Sequence, residues 1–135
     1  MLAAMAAGCG DSPTTPSTAP YKQTDVRIGS GAEATTGAVV KVTYTGWLYD
    51  AARLDAKGIQ FDTSIGGDPF AFTLGFGQVI AGWDQGVAGM KVGGLRRLVI
   101  PPSLAYGPVR YGPIPPDATL VFDIELVDVQ AAATQ

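Results

Sequence analysis

The residues best suited to chemistry lie at positions 78–83, where a large aromatic residue stands among small and apolar ones. Val79, Ile80, Trp83 and Val87 recur at the spacing of one helix face, which indicates that this face is buried. The first N–H groups of a helix have no partner within it, so free donors are expected beside Val79 and Ile80. Such a surface suits an apolar ligand that carries one carbonyl. A helix that only buries its aromatic residue in the core is the open alternative.

Composition excludes several kinds of chemistry. The chain has no His and a single Cys, so it cannot form a Ser–His or Cys–His pair, an intrachain disulfide or a cysteine metal cluster. No phosphate-loop or dinucleotide fingerprint follows a candidate strand. The net charge is −3 and the basic residues are scattered, which argues against nucleic acid as a partner. We therefore expect a protein without a covalent nucleophile, a metal or another cofactor.

The chain divides into a tail and one domain. Of its 135 residues, 47% are hydrophobic, which is enough to form one core. Residues 1–20 are rich first in Ala and then in Ser, Thr and Pro, a composition typical of a signal remnant followed by a flexible tether. We expect a domain over residues 21–130 and a C-terminal tail at 131–135. No repeat and no membrane-spanning segment is visible.

The segment Ala6-Ala7-Gly8-Cys9 resembles a bacterial lipoprotein cleavage site. It departs from the usual pattern because Ala6 replaces a larger aliphatic residue and the preceding apolar region is short and lacks a basic residue. The sequence favours a lipid anchor on Cys9 and a location on the periplasmic side of the cell envelope. A disordered Ala-rich terminus on a cytoplasmic protein is the alternative.

Strand patterns predominate in the domain. Strands are predicted over residues 39–46, 61–62, 70–74, 95–100 and 119–129, with the last one alternating between an apolar and a polar face. Residues 49–58 are interpreted as a loop with one helical turn at 51–54, and a helix is predicted over 79–88. This pattern predicts an α+β fold, in which a curved antiparallel sheet wraps one short helix.

Six short motifs occur in order over residues 24–129 of the chain. They are Val42-Thr43-Tyr44-Thr45-Gly46, Phe61-Asp62-Thr63-Ser64, Pro69-Phe70-Ala71-Phe72, Val79-Ile80-Ala81-Gly82-Trp83, Ala105-Tyr106-Gly107 and Ile114-Pro115-Pro116-Asp117-Ala118-Thr119-Leu120-Val121-Phe122. Together they resemble the motifs of the FK506-binding-protein family of peptidyl-prolyl cis–trans isomerases. The combination is specific, although each motif alone would be weak.

The resemblance implies a proline-binding pocket lined by aromatic side chains, with Trp83 as its floor. It implies that the Ile80 N–H holds a substrate carbonyl, that the Tyr106 hydroxyl donates another hydrogen bond, and that Asp62 orients the Tyr44 hydroxyl. Tyr44, Asp62 and Tyr106 are thus the expected catalytic residues. The expected substrate-binding residues are Phe61, Phe70, Val79, Ile80, Trp83, Ile114 and Phe122.

Several of these positions also have a purely structural interpretation when each is considered by itself. Phe61, Phe70 and Phe122 fit core positions on alternating strands. Asp62 fits a turn, and Tyr106 fits a surface loop. The resemblance favours the functional interpretation because all the positions agree at once.

Three segments depart from the pattern of the family. The loop between Tyr44 and Phe61 is longer than in the small members. Residues 65–68 lack the basic residue that many members carry there to pair with the Asp. Residues 108–113 form a shorter and differently composed flap, which leaves the sequence preference and the drug affinity open.

The resemblance implies an enzyme that accelerates rotation about Xaa-Pro peptide bonds without a covalent intermediate and assists protein folding in the bacterial cell envelope. The expected partners are proline-containing segments of folding proteins and macrolides such as FK506 or rapamycin, with membrane contact only through the lipid anchor. We expect a monomer. A proline-binding module with little turnover is an alternative. A holdase chaperone ranks last because residues 107–115 are too few for the extra domain of such relatives.

Overall fold

The structure is a computed structural model that describes residues 19–131. Cys9 and nearly all of the predicted tail at 1–20 lie outside the described residues. Most of the predicted C-terminal tail at 131–135 also lies outside them.

Within residues 19–131, six strands, one α-helix and one short 3₁₀ helix form the fold. In chain order they are β1 (Lys22–Arg27), β2 (Val39–Tyr49), β3 (Lys57–Thr63), β4 (Phe70–Thr73), α1 (Ala81–Val87), β5 (Leu95–Ile100), the 3₁₀ helix (Pro102–Leu104) and β6 (Leu120–Gln130). The strands form one antiparallel sheet in the order β1-β5-β6-β2-β3, and β4 pairs with the first part of β2. No described helix has both the length and the apolar character needed to cross a membrane.

The sheet curves because its long strand β2 is irregular. Register shifts occur between Lys41 and Val42 where β2 pairs with β6, and around Trp47 where β2 pairs with β3. Such bulges bend a strand and increase its twist. The curved antiparallel sheet and the single short helix confirm the predicted α+β class.

Some boundaries differ from those that the sequence predicts. Strand β1 was not predicted as a separate element because all its side chains are exposed, so it has no apolar alternation. Strand β3 begins at Lys57, inside the predicted loop, and residues 51–54 form turns instead of a helical turn. The helix starts at Ala81 because Ile80 is extended, with φ −60° and ψ 151°.

The core lies between the concave face of the sheet and the helix. Strand β6 contributes most to it, since the predicted apolar face of this strand is buried throughout. The buried residues of that face are Leu120, Phe122, Ile124 and Leu126. Val40 and Val42 of β2 and Leu98 and Ile100 of β5 complete the floor on which α1 packs.

The backbone of the helix packs directly against side chains of β5. A Cβ atom at Gly82 would lie 2.5 Å from Cγ2 of Ile100, which is closer than real Cβ contacts. A Cβ atom at Gly86 would likewise collide with the side chain of Leu98. The two glycines therefore set the distance between the helix and the sheet.

Arg96 closes the other end of this contact. Its buried guanidinium donates from Nη1 to the carbonyl oxygens of Gly86 (2.8 Å) and Ala88 (3.1 Å), and from Nε to Asp25 (2.7 Å). The last carbonyl groups of a helix lack hydrogen-bond donors within it, and the Arg96 side chain supplies these donors. Arg96 thereby connects α1, β5 and the edge strand β1.

Replacing Gly82 with Ala is expected to lower the free energy of unfolding by about 1–3 kcal/mol, because the added methyl overpacks against Ile100. Helix propensity alone would give the opposite sign, a gain of about 0.5–1 kcal/mol. Chemical denaturation measures the difference. Gln85→Ala, at an exposed position of the same helix, is the control and should change stability by less than about 0.5 kcal/mol. A Gly82→Ala protein as stable as the wild type would contradict this packing.

Candidate active site

The side chain of Trp83 is the centre of an aromatic cluster above the core. It is 5% exposed. Its ring lies 4.9 Å from that of Tyr44 and 5.2 Å from that of Phe122, with interplanar angles of 77° and 86°. Phe72 and Phe70 follow at 5.8 Å and 6.1 Å. Such edge-to-face contacts are the preferred geometry of aromatic pairs, so the indole is held from several sides.

Gly46 allows two of the surrounding rings to approach the backbone of β2. It pairs with Asp62 on β3 and with Phe122 on β6. A Cβ atom at this position would lie 2.7 Å from both the Phe61 and the Phe122 ring. Those rings meet edge to face at 5.6 Å and 89°, and they form one wall beside Trp83.

The segment that leads into α1 exposes a backbone donor. Ile80 precedes the helix in an extended conformation, and its N–H has no acceptor among residues 19–131. The Ile80 carbonyl is used, since it accepts from the N–H groups of Trp83 and Asp84. Ile80 therefore lies on the cavity wall with a backbone N–H that has no acceptor among the described residues.

Two side chains hold this segment in place. Asp84 accepts from the N–H groups of Gly75 (2.8 Å) and Gly77 (3.0 Å) through its two carboxylate oxygens. Gln78 accepts from the N–H of Thr73 (2.9 Å) through Oε1. The turn before the helix is thus tied both to the helix and to the end of β4.

Tyr44 and Asp62 form a hydrogen-bonded pair across β2 and β3. The Tyr44 hydroxyl donates to Oδ2 of Asp62 at 2.7 Å. Burial raises the pKa of the Tyr44 phenol well above its usual value, and the hydrogen bond and charge of Asp62 raise it further. No salt bridge of the described residues involves Asp62. This agrees with the missing basic residue at 65–68.

Tyr106 lies just after the 3₁₀ helix and is half-buried. Burial raises the pKa of its phenol, and Tyr111 and Asp62 act in the same direction. The hydroxyl is therefore protonated at neutral pH and available as a donor. Its ring stacks on that of Tyr111, with centroids 4.2 Å apart and planes within 5° of parallel.

These residues line a cavity of about 280 Å³ that is open to solvent. It is lined by Tyr44, Phe61, Asp62, Phe70, Gln78, Val79, Ile80, Trp83, Tyr106, Tyr111 and Phe122. Every predicted catalytic or substrate-binding residue except Ile114 lies on this wall. Ile114 is 3% exposed and packs in the core, so its effect on the cavity is indirect.

Sequence reasoning missed two residues of the wall, Gln78 and Tyr111. Gln78 stands next to the predicted apolar pair 79–80, but its polar side chain gave no reason to place it in an apolar pocket. Tyr111 belongs to the flap at 108–113, where the chain departs from the family pattern. A signal was present in Gly112-Pro113, a turn-forming pair that can return the chain towards the site.

The arrangement combines aromatic walls with several polar groups. An N–H at Ile80 and a hydroxyl at Tyr106 can donate, and the carboxylate of Asp62 can accept. Among residues 19–131, no side chain with a thiol, imidazole or amine lines the cavity. The site can therefore bind a small ring beside a polar backbone and can act through packing and hydrogen bonds.

The fold and this pocket define a class of protein, which sequence comparison identifies. The sequence profile of the family described as "FKBP-type peptidyl-prolyl cis-trans isomerase" matches residues 31–127. The chain belongs to this family, and the resemblance noted in the sequence is confirmed.

Individual relatives agree with this assignment. The chain is 56% identical over 103 residues to peptidyl-prolyl cis-trans isomerase FPR2 of Saccharomyces cerevisiae, covering 75% of this chain and 72% of that protein. It is 47% identical over 107 residues to an FK506-binding protein of Neisseria meningitidis serogroup B, covering 78% of this chain and 92% of the relative.

Solved structures give the same result. The crystal structure of FkpA from Escherichia coli matches with a TM-score of 0.70 and 41% identity, over 84% of this chain and 49% of that one. That of AtFKBP13 matches with a TM-score of 0.69 and 38% identity, over 85% and 98%. The chain also spans 24% of the 46 kDa FK506-binding nuclear protein of Spodoptera frugiperda. It thus corresponds to nearly all of some relatives and to a part of others.

Asp62→Asn is expected to lower the pKa of Tyr44, because it removes the negative charge that opposes ionisation of the phenol. The pKa should stay above the usual value of about 10, since burial is the largest cause of the shift. A raised phenol pKa means that the Tyr44 donor is intact at neutral pH and is lost only as the pH rises through the raised value. In the variant this loss should begin at lower pH.

Alkaline titration followed by tyrosinate absorbance measures this shift, and Tyr44→Phe identifies the phenol concerned. Asp68→Asn makes the same chemical change at an exposed position and should leave the titration of Tyr44 where it is. An unchanged titration in Asp62→Asn would show that the carboxylate does not act on Tyr44.

Proposed function

We propose that this chain isomerises Xaa-Pro bonds by binding the proline ring in a dry aromatic pocket and stabilising the twisted amide without covalent chemistry. The observation that carries the proposal is the cavity itself, which is lined by the Trp83 ring and by two residues that can donate hydrogen bonds, Ile80 and Tyr106. Membership of the isomerase family supports it.

The chemistry follows from the peptide bond. Resonance keeps the amide planar, with a barrier of roughly 18–20 kcal/mol to rotation. Twisting the bond removes this resonance together with much of the charge separation between oxygen and nitrogen. The twisted amide is therefore less polar than the planar one. Apolar walls that exclude water, such as Phe70 and Phe122, favour it relative to the ground state.

The polar groups fix the substrate around the rotating bond. The Ile80 N–H holds one carbonyl of the peptide, and its lack of a partner among the described residues supports this role. The Tyr106 hydroxyl donates to a second carbonyl. Asp62 acts through Tyr44, whose hydroxyl it holds at 2.7 Å, and its charge lies near the rotating carbonyl.

Activity on a proline-containing peptide tests the proposal. We expect wild-type protein to accelerate cis–trans exchange and FK506 to inhibit it. Phe70→Leu should lower kcat/KM by roughly two- to tenfold, since an aromatic contact contributes about 0.5–1.5 kcal/mol. Trp83→Leu combined with Phe122→Ala should abolish most of the acceleration. Phe76→Leu makes the same change at a 67% exposed ring outside the cavity wall and serves as the control.

A binding module with little turnover is distinguished by the same proteins. Peptide binding detected by tryptophan fluorescence, without faster exchange in the wild type, would refute the enzyme and favour the module. Equal losses in Phe70→Leu and Phe76→Leu would contradict the assignment of the pocket.

The second part of the proposal concerns location. We place the protein on the periplasmic side of a bacterial cell envelope, anchored by a lipid on Cys9, where it assists the folding of exported proteins as a monomer. The lipoprotein-like segment 6–9 and the Ser/Thr/Pro-rich tether after it support this proposal.

Membrane partition of the full-length chain tests the anchor. In a bacterial host with an intact lipoprotein pathway, wild-type protein should sediment with membranes and Cys9→Ser should remain in the soluble fraction. A single acyl chain binds membranes only marginally, whereas several chains anchor stably. Ser17→Ala, a change in the same tail that leaves Cys9 intact, should not alter partition. Soluble wild-type protein would refute the anchor.

A further inference from the structure

The flap holds Tyr111 in a tight hairpin. The N–H of Tyr111 donates to the carbonyl of Ile114 (3.0 Å), and the N–H of Ile114 donates back to Tyr111 (2.9 Å). Gly112 has a φ of 54°, and Pro113 after it is restricted to φ near −65°, as in two-residue type II′ hairpins. Ile114 is only 3% exposed and packs in the core. It therefore fixes the position of the hairpin and, with it, the backbone of Tyr111.

Tyr106 has a well-anchored backbone but an unanchored hydroxyl. The following residue, Gly107, donates to Pro102 (2.9 Å) and accepts from Asp117 (2.8 Å). The Tyr106 hydroxyl, in contrast, has no hydrogen-bond partner among residues 19–131. Tyr44 differs in this respect, because Asp62 holds its hydroxyl. The direction of the Tyr106 hydroxyl therefore depends on how its ring is packed.

Tyr106 packs against the core, and the ring of Tyr111 adds a stacked contact from the flap. The two rings are nearly parallel at 4.2 Å, so rotation of the Tyr106 side chain out of its position would separate them. Tyr111 is itself 59% exposed and lies on the cavity wall. It thus packs against Tyr106 from the flap while most of its own side chain stays exposed.

We propose that Tyr111 is a positioning residue that fixes the Tyr106 ring by stacking and so directs its hydroxyl towards the bound peptide. This inference rests on the proposed function, in which that hydroxyl donates to a substrate carbonyl. The flap 108–113 then has a specific role, because its Tyr111 ring supports the Tyr106 ring, whose hydroxyl has no hydrogen-bond partner among the described residues.

A double-mutant cycle tests the coupling. Tyr111→Leu keeps apolar bulk but removes the planar ring, and Tyr106→Phe keeps the ring but removes the hydroxyl. We expect Tyr111→Leu to lower kcat/KM about fivefold in the wild-type background, the size of one lost hydrogen bond. In the Tyr106→Phe background the same change should cost less than about twofold.

Conservative and matched variants complete the design. Tyr111→Phe retains the stacked ring and should restore kcat/KM to within about twofold of wild type. Val109→Ala alters a 66% exposed flap residue outside the cavity wall and should change nothing. Circular dichroism confirms that each variant is folded. If Tyr111→Leu does not fold, Tyr111→Gln, tested in both Tyr106 backgrounds, replaces it.

Three results would overturn the proposal. An equal loss in both backgrounds would mean that Tyr111 touches the peptide directly. No loss in the wild-type background would mean that the stack is irrelevant. A loss in Tyr111→Phe as large as in Tyr111→Leu would assign the effect to its hydroxyl.

Peptide affinity separates this proposal from the proposed function. The same double-mutant cycle is repeated with peptide affinity as the measured quantity. Binding is monitored by Trp83 fluorescence in a Trp47→Phe background, which removes the other indole. Wild-type protein that binds the peptide without accelerating exchange would refute the isomerase, while coupled losses of affinity would still support the role of Tyr111. Acceleration without coupling would refute Tyr111 alone. Protein that neither binds nor accelerates would refute both.

Discussion

The close contact between helix α1 and strand β5 is the constraint on which the rest of the site depends. Gly82 and Gly86 present only hydrogen atoms to the sheet, so the helix lies deeper than any larger residue would permit. Trp83 lies between these two glycines in the sequence, so their close approach to the sheet also sets how deeply its side chain is buried. At that depth its ring reaches Tyr44 and Phe122 and becomes the base of the cavity instead of a surface residue.

The polar part of the site is organised around neutral donors. The phenols of Tyr44 and Tyr106 both have raised pKa values, chiefly through burial, and the Ile80 N–H cannot titrate. The chain has no His. Asp62 supplies the negative charge on the cavity wall. Such a site suits a reaction that needs no proton transfer and in which charge separation decreases.

Apolar alternation made much of the fold predictable. Strand β6 was recognised because its buried face alternates with polar residues, and Trp83 because it shares a helix face with Val79 and Val87. The exposed strand β1 has no such pattern. Backbone pairing with β5 and the Asp25–Arg96 ion pair hold it in the sheet, and neither interaction requires apolar side chains on β1. Sequence motifs identified nearly the whole cavity wall. They could not reveal that Ile114 turns into the core, because this depends on the hairpin through Gly112.

The position of β6 in the sheet has a consequence for synthesis of the chain. It is the last described strand, yet it lies between β2 and β5 and pairs with both along most of its length. While the ribosome is still making residues 101–119, β2 and β5 lack their shared neighbour, and the cavity lacks Phe122. Pairings over such long sequence separations form slowly. The nascent chain must therefore carry two open strand edges, which favour aggregation, until residue 130 has left the ribosome.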